Sequence, residues 1–132
     1  MAAEKTQSDQ SVLLGRRVLL VEDEYFIADD FNRALTSAGA TVIGPCGSVS
    51  SAHDAITSGG FECAVIDLNL RGESAAPVAD HLLRLNIPFA IATGYGSSAV
   101  PEHLRGIARF EKPFDPAQLV KIVGMLTAEA VS

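Results

Sequence analysis

The chain has 132 residues, of which 48% are hydrophobic and 20% are charged, and its net charge is −6. This balance excludes a largely disordered protein, because the apolar residues suffice for the core of one domain. The acidic surface argues against DNA or RNA as a direct partner, because phosphate contacts need clustered Lys and Arg.

The hydrophobic residues give no sign of a membrane or of export. No apolar run approaches the roughly 20 residues that cross a bilayer. The N-terminus also lacks the apolar core of a signal peptide. A cytoplasmic location without membrane contact is therefore predicted.

The two cysteines, Cys46 and Cys63, lie in apolar surroundings rather than in a closely spaced ligand motif. Free cysteine is commonly a small core residue, whereas a disulfide or a metal site needs a suitable partner. We therefore expect buried, reduced thiols.

Residues 1–15 are polar and small and show no periodicity, which predicts a disordered tail before a domain at 16–132. Within the domain, short apolar runs alternate with segments of helical spacing. The five runs are Val18–Val21, Thr41–Ile43, Cys63–Ile66, Phe89–Ala92 and Ile107–Phe110. The first, third and fourth runs are apolar throughout, as in a parallel sheet that helices cover on both faces.

Four segments carry apolar stripes at helical spacing. The stripes are Ile27, Phe31, Leu35 and Ala38; Ala52 and Ile56; Val78, Leu82 and Leu85; and Leu119, Ile122, Val123 and Leu126. Asp115 is the predicted N-cap of the last helix and Pro116 its first residue. Residues 96–106 contain Pro101 and few apolar residues, so a short or mobile helix is expected there. The (βα)₅ order predicts an α/β fold with a doubly wound, five-stranded parallel sheet.

A polar group follows four of the five predicted strands. Glu22 and Asp23 follow the first, Asp67 the third, Thr93 the fourth and Lys112 the fifth. The carboxyl ends of parallel strands lie at one edge of the sheet, which is where open α/β folds bind ligands. Each residue alone could be a helix cap or part of a turn, but together they predict one site.

The chemistry of this set is coherent. Glu22, Asp23 and Asp67 would repel one another at close range, and a hard divalent cation such as Mg²⁺ relieves that repulsion. A carboxylate can be the nucleophile in phosphoryl transfer, because it forms an acyl phosphate. Mg²⁺ and Lys112 would offset charge on the transferring oxygens, and Thr93 would donate a hydrogen bond to one of them.

The motifs around these residues resemble those of response-regulator receiver domains in two-component signalling. They are Val21-Glu22-Asp23-Glu24, Val65-Ile66-Asp67-Leu68-Asn69, Ala92-Thr93-Gly94 and Glu111-Lys112-Pro113-Phe114. The resemblance covers about residues 16–130. It implies a flavodoxin-like receiver fold, and a protein that accepts a phosphoryl group from a histidine kinase or a histidine phosphotransfer protein.

The resemblance also implies a role for each residue of the site. Asp67 would be the phosphorylation site, and Thr93 and Lys112 would contact the phosphoryl group. The ligands of Mg²⁺ would be Glu22, Asp23, Asp67 and the backbone carbonyl of Asn69. Such a domain catalyses only its own phosphorylation and dephosphorylation, so it is not expected to be an enzyme acting on other substrates.

The chain departs from the usual pattern of the family in three places. Many receivers have Asp-Asp where this chain has Glu22 and Asp23, and an aromatic residue where it has Arg109. Many also have Met-Pro after the acceptor strand, where this chain has Asn69-Leu70-Arg71-Gly72-Glu73. A longer carboxylate still reaches a cation. The segment 88–96 resembles the "FAT GUY" subgroup, whose members often stand alone and lack that aromatic residue.

The output is expected to be binding to a downstream protein, or draining phosphate from a shared kinase, because no DNA-binding domain follows. Two other classes share part of this pattern. A haloacid-dehalogenase-like phosphatase would need an acid where Asn69 stands, and a pseudo-receiver would never take a phosphoryl group. His53, His81 and His103 are predicted to be solvated residues of helices or loops.

Overall fold

A computed structural model gives the fold of the chain and describes residues 12–94, 100–111 and 115–131. For Thr93 and residues 129–131 it describes the backbone alone. In chain order the elements are β1 (Arg17–Val21), α1 (Tyr25–Ser37), β2 (Thr41–Cys46), α2 (Val49–Ser58), β3 (Cys63–Asp67), β4 (Asn69–Leu70), β5 (Glu73–Ser74), α3 (Ala76–Arg84), β6 (Phe89–Thr93), a 3-10 helix (Glu102–Leu104), β7 (Arg109–Glu111) and α4 (Pro116–Val131).

Five strands form one parallel sheet in the order β2-β1-β3-β6-β7. The chain steps from β1 to one side to form β2, and then crosses to the other side of β1 to form β3. The point where the order reverses therefore lies between β1 and β3, where ligands bind in folds of this kind. The predicted α/β class and doubly wound, flavodoxin-like sheet are confirmed.

Helices cover both faces of this sheet, and side chains alternate between them along each strand. In β1, Val18 and Leu20 pack with α1 and α4, whereas Leu19 and Val21 pack with α2 and α3. We call these two sides the α1/α4 face and the α2/α3 face. Burial on both sides explains why the central strands are apolar at every position.

The ordered chain begins earlier than the sequence predicts. Leu13 is fully buried in the core of the α1/α4 face, and its backbone N–H donates to the carbonyl of Ala38 over 2.8 Å. A Cβ on Gly39 would lie 2.9 Å from the Cα of Leu14, so only glycine permits this approach. The predicted tail at 1–15 is therefore wrong for residues 12–15, and residues 1–11 lie outside the described residues.

The strand ends also differ from prediction. β2 continues to Cys46, past Gly44 and Pro45, because the pairing with β1 contains a register shift between Leu19 and Val21. Gly44 has a φ of +103°, and a Cβ there would lie 2.7 Å from a carbonyl oxygen of β1. An edge strand tolerates proline at such a bulge. The last strand runs from Arg109 to Glu111 rather than from Ile107.

A small hairpin that the sequence analysis missed follows the end of β3. The strands β4 and β5 pair in antiparallel fashion through a turn at Arg71 and Gly72, whose φ angles are +54° and +83°. Two consecutive residues with positive φ are typical of a tight hairpin turn. Of the segment predicted as a short or mobile helix, residues 95–99 lie outside the described residues, and Glu102–Leu104 forms the 3-10 helix.

Both cysteines are free and buried, as predicted. Burial raises the pKa of the Cys63 thiol to about 12, with a further increase from Glu62 and an opposing effect of Arg16. Burial also raises the pKa of Cys46, although a hydrogen bond from Ser51 acts to lower it.

Among the described residues, no helix has both the length and the apolar character that crossing a membrane requires.

Candidate metal site at the edge of the sheet

Three carboxylates meet at the carboxyl ends of two neighbouring strands. Glu22 and Asp23 directly follow β1, and Asp67 is the last residue of β3, which pairs with β1 up to the contact of Val21 with Ile66. One carboxylate oxygen from each acid lies within 4.8 Å of one oxygen from each of the others. We call these residues the acid trio, and they lie where the strand order reverses, between β1 and β3.

The acid trio is largely withdrawn from solvent. Glu22 is 2% exposed and Asp67 is 7% exposed, whereas Asp23 is half-buried. Carboxylates so close together in a low-dielectric environment repel one another and lose hydration. A bound cation would offset both costs.

The donor set fits a hard divalent cation such as Mg²⁺. It consists of oxygen atoms only, and Mg²⁺ binds oxygen at about 2.0–2.1 Å in an octahedron, so ligands lie roughly 3–4 Å apart. The 4.8 Å limit on the oxygen separations is compatible with that geometry after small side-chain rotations, or with one acid bound through water. Half-burial of Asp23 leaves one side of the trio accessible to solvent.

Each acid of the trio accepts a hydrogen bond from a backbone N–H. Glu22 Oε2 accepts from the amide of Glu24 at 3.1 Å, and Asp67 Oδ1 accepts from the amide of Asn69 at 2.9 Å. Asp23 Oδ2 accepts from the amide of Arg71 at 3.1 Å. The main chain therefore helps to orient all three carboxylates.

The hairpin is part of this arrangement. Asn69 begins β4, and its side-chain Oδ1 accepts from the amide of Gly72 over 2.8 Å, which closes the turn. The same turn supplies the Arg71 amide that binds Asp23. Asn69 is exposed and next to the trio in the chain; the predicted contact of its carbonyl with Mg²⁺ stays a prediction.

The remaining predicted site residues belong to the adjacent strands. β6 ends at Thr93, one residue beyond the pairing of Asp67 with Ala92, so its backbone reaches the edge that carries the trio. Glu111 pairs with Thr93, and Lys112 follows it in the chain. Lys112 and the side chain of Thr93 lie outside the described part of the structure, so their roles stay predictions.

Two of the three histidines differ from prediction. His53 Nδ1 lies 2.8 Å from His81 Nδ1, and both rings are half-buried between α2 and α3. His103 is exposed in the 3-10 helix, as predicted, and its Nε2 lies 2.8 Å from Asp80 Oδ1. Sequence reasoning missed the first contact because 28 residues separate the two histidines; only adjacent packing of α2 and α3 brings them together.

Several solved structures share this fold. The solution structure of SdrG from Sphingomonas melonis Fr1 is 32% identical, with 89% of this chain and 97% of that chain covered and a TM-score of 0.73. A response regulator receiver protein from Sinorhizobium medicae WSM419 is 27% identical, with 87% and 96% covered and a TM-score of 0.73. A CheY-like receiver domain from Methanospirillum hungatei JF-1, 24% identical over 88% and 96% of the chains, supports the fold with a TM-score of 0.76.

No protein-family model and no curated protein matches the chain. The structural likenesses nevertheless agree with the fold of this chain, a five-stranded parallel sheet covered by helices. The class is that of phosphoacceptor signalling domains, and this chain belongs to the response-regulator receiver family of two-component signalling. This assignment replaces the phosphatase alternative, whereas membership of the subgroup suggested by residues 88–96 stays a prediction.

Proposed function

We propose that Asp67 accepts a phosphoryl group in a Mg²⁺-dependent reaction, from a histidine kinase or a histidine phosphotransfer protein. The observation that carries the proposal is the acid trio, because it joins a strand-end carboxylate to two further acids within 4.8 Å. When bound, Mg²⁺ would neutralise negative charge on the transferring oxygens. Glu22, Asp23 and Asp67 would hold it.

In the transfer step, an oxygen of Asp67 forms a bond to phosphorus while the bond from phosphorus to the donor nitrogen breaks. Asp67 Oδ1 accepts a hydrogen bond from the backbone amide of Asn69, and this hydrogen bond would orient the carboxylate for the attack. Thr93 is the last residue of β6, and Lys112 follows the last residue of β7 in the chain. This placement supports a role for Thr93 in hydrogen-bonding the phosphoryl group and for Lys112 in neutralising it. The domain would catalyse only its own phosphorylation and dephosphorylation.

The output would be contact with another protein, either a downstream target or a kinase from which this domain drains phosphate. The net charge of −6 supports a protein partner rather than nucleic acid. Arg109 on β7 is exposed beside the strand that leads to Thr93, so it is available to such a partner. A cytoplasmic location, where such kinases present phosphohistidine, belongs to the same proposal.

Treatment of the purified protein with acetyl phosphate tests the proposal. We expect one added phosphoryl group on Asp67 by mass spectrometry, in the presence of Mg²⁺ and not with excess EDTA. Asp67→Asn should abolish the label. Asp30→Asn, which removes an exposed acid of α1, should leave the label unchanged.

The metal part has its own measurement, which does not depend on phosphorylation. Mg²⁺ at about ten times its dissociation constant should raise the free energy of unfolding by roughly 1.4 kcal/mol. Glu22→Gln combined with Asp23→Asn should remove that gain. Persistent gain in this double variant would place the metal elsewhere, and absence of any label in Mg²⁺ would favour the pseudo-receiver.

A further inference from the structure

A second group of metal-ligating side chains lies between two helices rather than at the strand ends. His53 is in the middle of α2 and His81 is in the last turn of α3. Their Nδ1 atoms are 2.8 Å apart, their ring centroids are 5.0 Å apart and their planes are inclined by 34°. One Nδ1 thus donates a hydrogen bond to the other, and an ion bound by both nitrogens would replace that hydrogen bond.

The backbone positions of this pair are fixed by core packing. Ala52 and Ile56 of α2 and Val78 and Leu82 of α3 are buried in the α2/α3 face. His53 follows Ala52 and His81 precedes Leu82, so both imidazoles lie at the rim of this packed surface, half-buried and still open to solvent. Ligands held on packed helices need little ordering when an ion binds.

We propose that His53 and His81 form a second cation site, which binds a transition ion of the Zn²⁺ type through both Nδ1 atoms. Zn²⁺ binds imidazole nitrogen at about 2.0–2.1 Å, so two ligands of a tetrahedron lie roughly 3.3 Å apart. The observed 2.8 Å is close to that spacing, and small rotations of two half-buried side chains supply the difference. Water would fill the remaining positions.

The charge state of His81 suits this ion. A ligating imidazole must be neutral, and partial burial lowers the pKa of His81, with further lowering by His53 and Arg84. Arg84 is exposed, so solvent and salt screen its repulsion of a bound cation.

The two sites differ in ligand chemistry and therefore in the ions they select. The acid trio offers oxygen atoms, which suit Mg²⁺, whereas His53 and His81 offer nitrogen atoms, which suit Zn²⁺ and its neighbours in the transition series. An ion between the histidines would join α2 to α3. This inference does not depend on phosphorylation of Asp67.

Calorimetric titration with ZnCl₂ in excess Mg²⁺, which occupies the acid trio, tests the site. We expect one Zn²⁺ per chain, and an affinity at least about tenfold lower in His53→Gln and in His81→Gln. His103→Gln is the matched control, because it removes the third histidine from its contact with Asp80, and it should bind Zn²⁺ as the unaltered chain does. Nitrogen NMR should show both Nδ1 resonances shifting on titration.

Glutamine keeps a hydrogen-bonding side chain at each position, so both variants should fold. Thermal melting without metal checks this. The proposal is overturned if Zn²⁺ fails to bind in excess Mg²⁺, or if both glutamine variants bind it with unchanged affinity. It is overturned equally if only Glu22→Gln with Asp23→Asn abolishes binding, because Zn²⁺ would then occupy the acid trio.

Discussion

The two faces of the sheet are covered by different kinds of structure. On the α1/α4 face, the helices have 13 and 16 residues. On the α2/α3 face, the helices have 10 and 9 residues, and a 3-10 helix of three residues accompanies them. Both faces bury apolar side chains of the same strands, so the sheet itself does not account for the difference.

The comparison shows how short helices are held on a sheet. A helix of nine or ten residues has little intrinsic stability in water, so packing and its ends must stabilise it. On the α2/α3 face, a capping box at Ser48 and Ser51 and the contacts of His81 and His103 add polar interactions to the apolar packing. On the α1/α4 face, Phe31 and Phe110 form an edge-to-face pair with centroids 5.8 Å apart.

The largest expected effect concerns that aromatic pair. Phe31→Ala should lower the free energy of unfolding by about 3–5 kcal/mol, because it opens a cavity in a fully buried position and removes the contact with Phe110. Phe26→Ala, on the exposed side of the same helix, should change it by no more than about 0.5 kcal/mol. Urea titration of both variants measures this, and equal losses would contradict the role given to the core of this face.

A smaller effect concerns the thiol on the same face. The folded protein keeps the Cys63 proton up to a pKa of about 12, whereas the unfolded chain releases it near the ordinary value of 9.0. The unfolded state therefore binds fewer protons in this window. The buried Cys63 thiol therefore contributes its full share of the free energy of unfolding below pH 9. This share is lost as the pH rises toward 12, by at most about 1.4 kcal/mol per pH unit.

Urea titrations at several pH values between about 8 and about 10.5 give the slope of the free energy of unfolding against pH. Cys63→Ala should reduce the slope relative to the unaltered chain, since it removes the titrating group. Cys46→Ala on the α2/α3 face should reduce the slope less, because a hydrogen bond from Ser51 opposes the effect of burial on the pKa of Cys46. Identical slopes in the unaltered chain and in Cys63→Ala would refute the assignment.

The smallest effect concerns the start of α2. The Ser48 side chain accepts from the Ser51 amide at 3.0 Å, so Ser48→Ala should cost about 1 kcal/mol. Ser50→Ala, at an exposed position inside the same helix, should be neutral or slightly stabilising, because alanine is the better helix former. A loss in Ser50→Ala as large as in Ser48→Ala would break the link between capping and the stability of the short helices.

The strands and the acid trio could be predicted because both follow from local patterns. A strand buried on two faces is apolar throughout, and parallel strands bring their carboxyl ends to one edge, so Glu22, Asp23 and Asp67 had to converge. The N-cap at Asp115 was predicted on equally local grounds, and its Oδ1 does accept from the amide of Ala117 at 3.0 Å.

What the sequence did not reveal depends on contacts between distant segments. The bulge that carries β2 past Gly44 exists only because of its pairing with β1. The hairpin after β3 has two residues in each strand, too few for an alternating pattern. The contact of His53 with His81 requires that α2 and α3 pack side by side, and no spacing along the chain encodes that.

The buried position of Leu13 has a practical consequence for anyone who expresses this domain. A truncation drawn from the strand pattern would start at Arg16 and would delete a side chain that fills the core beside Val123 and Ala38. Removal of a buried leucine costs about 2–5 kcal/mol, a large share of the stability of a small domain. If the shortened protein expressed poorly, the cause would be the loss of Leu13 and not a low stability of the intact domain.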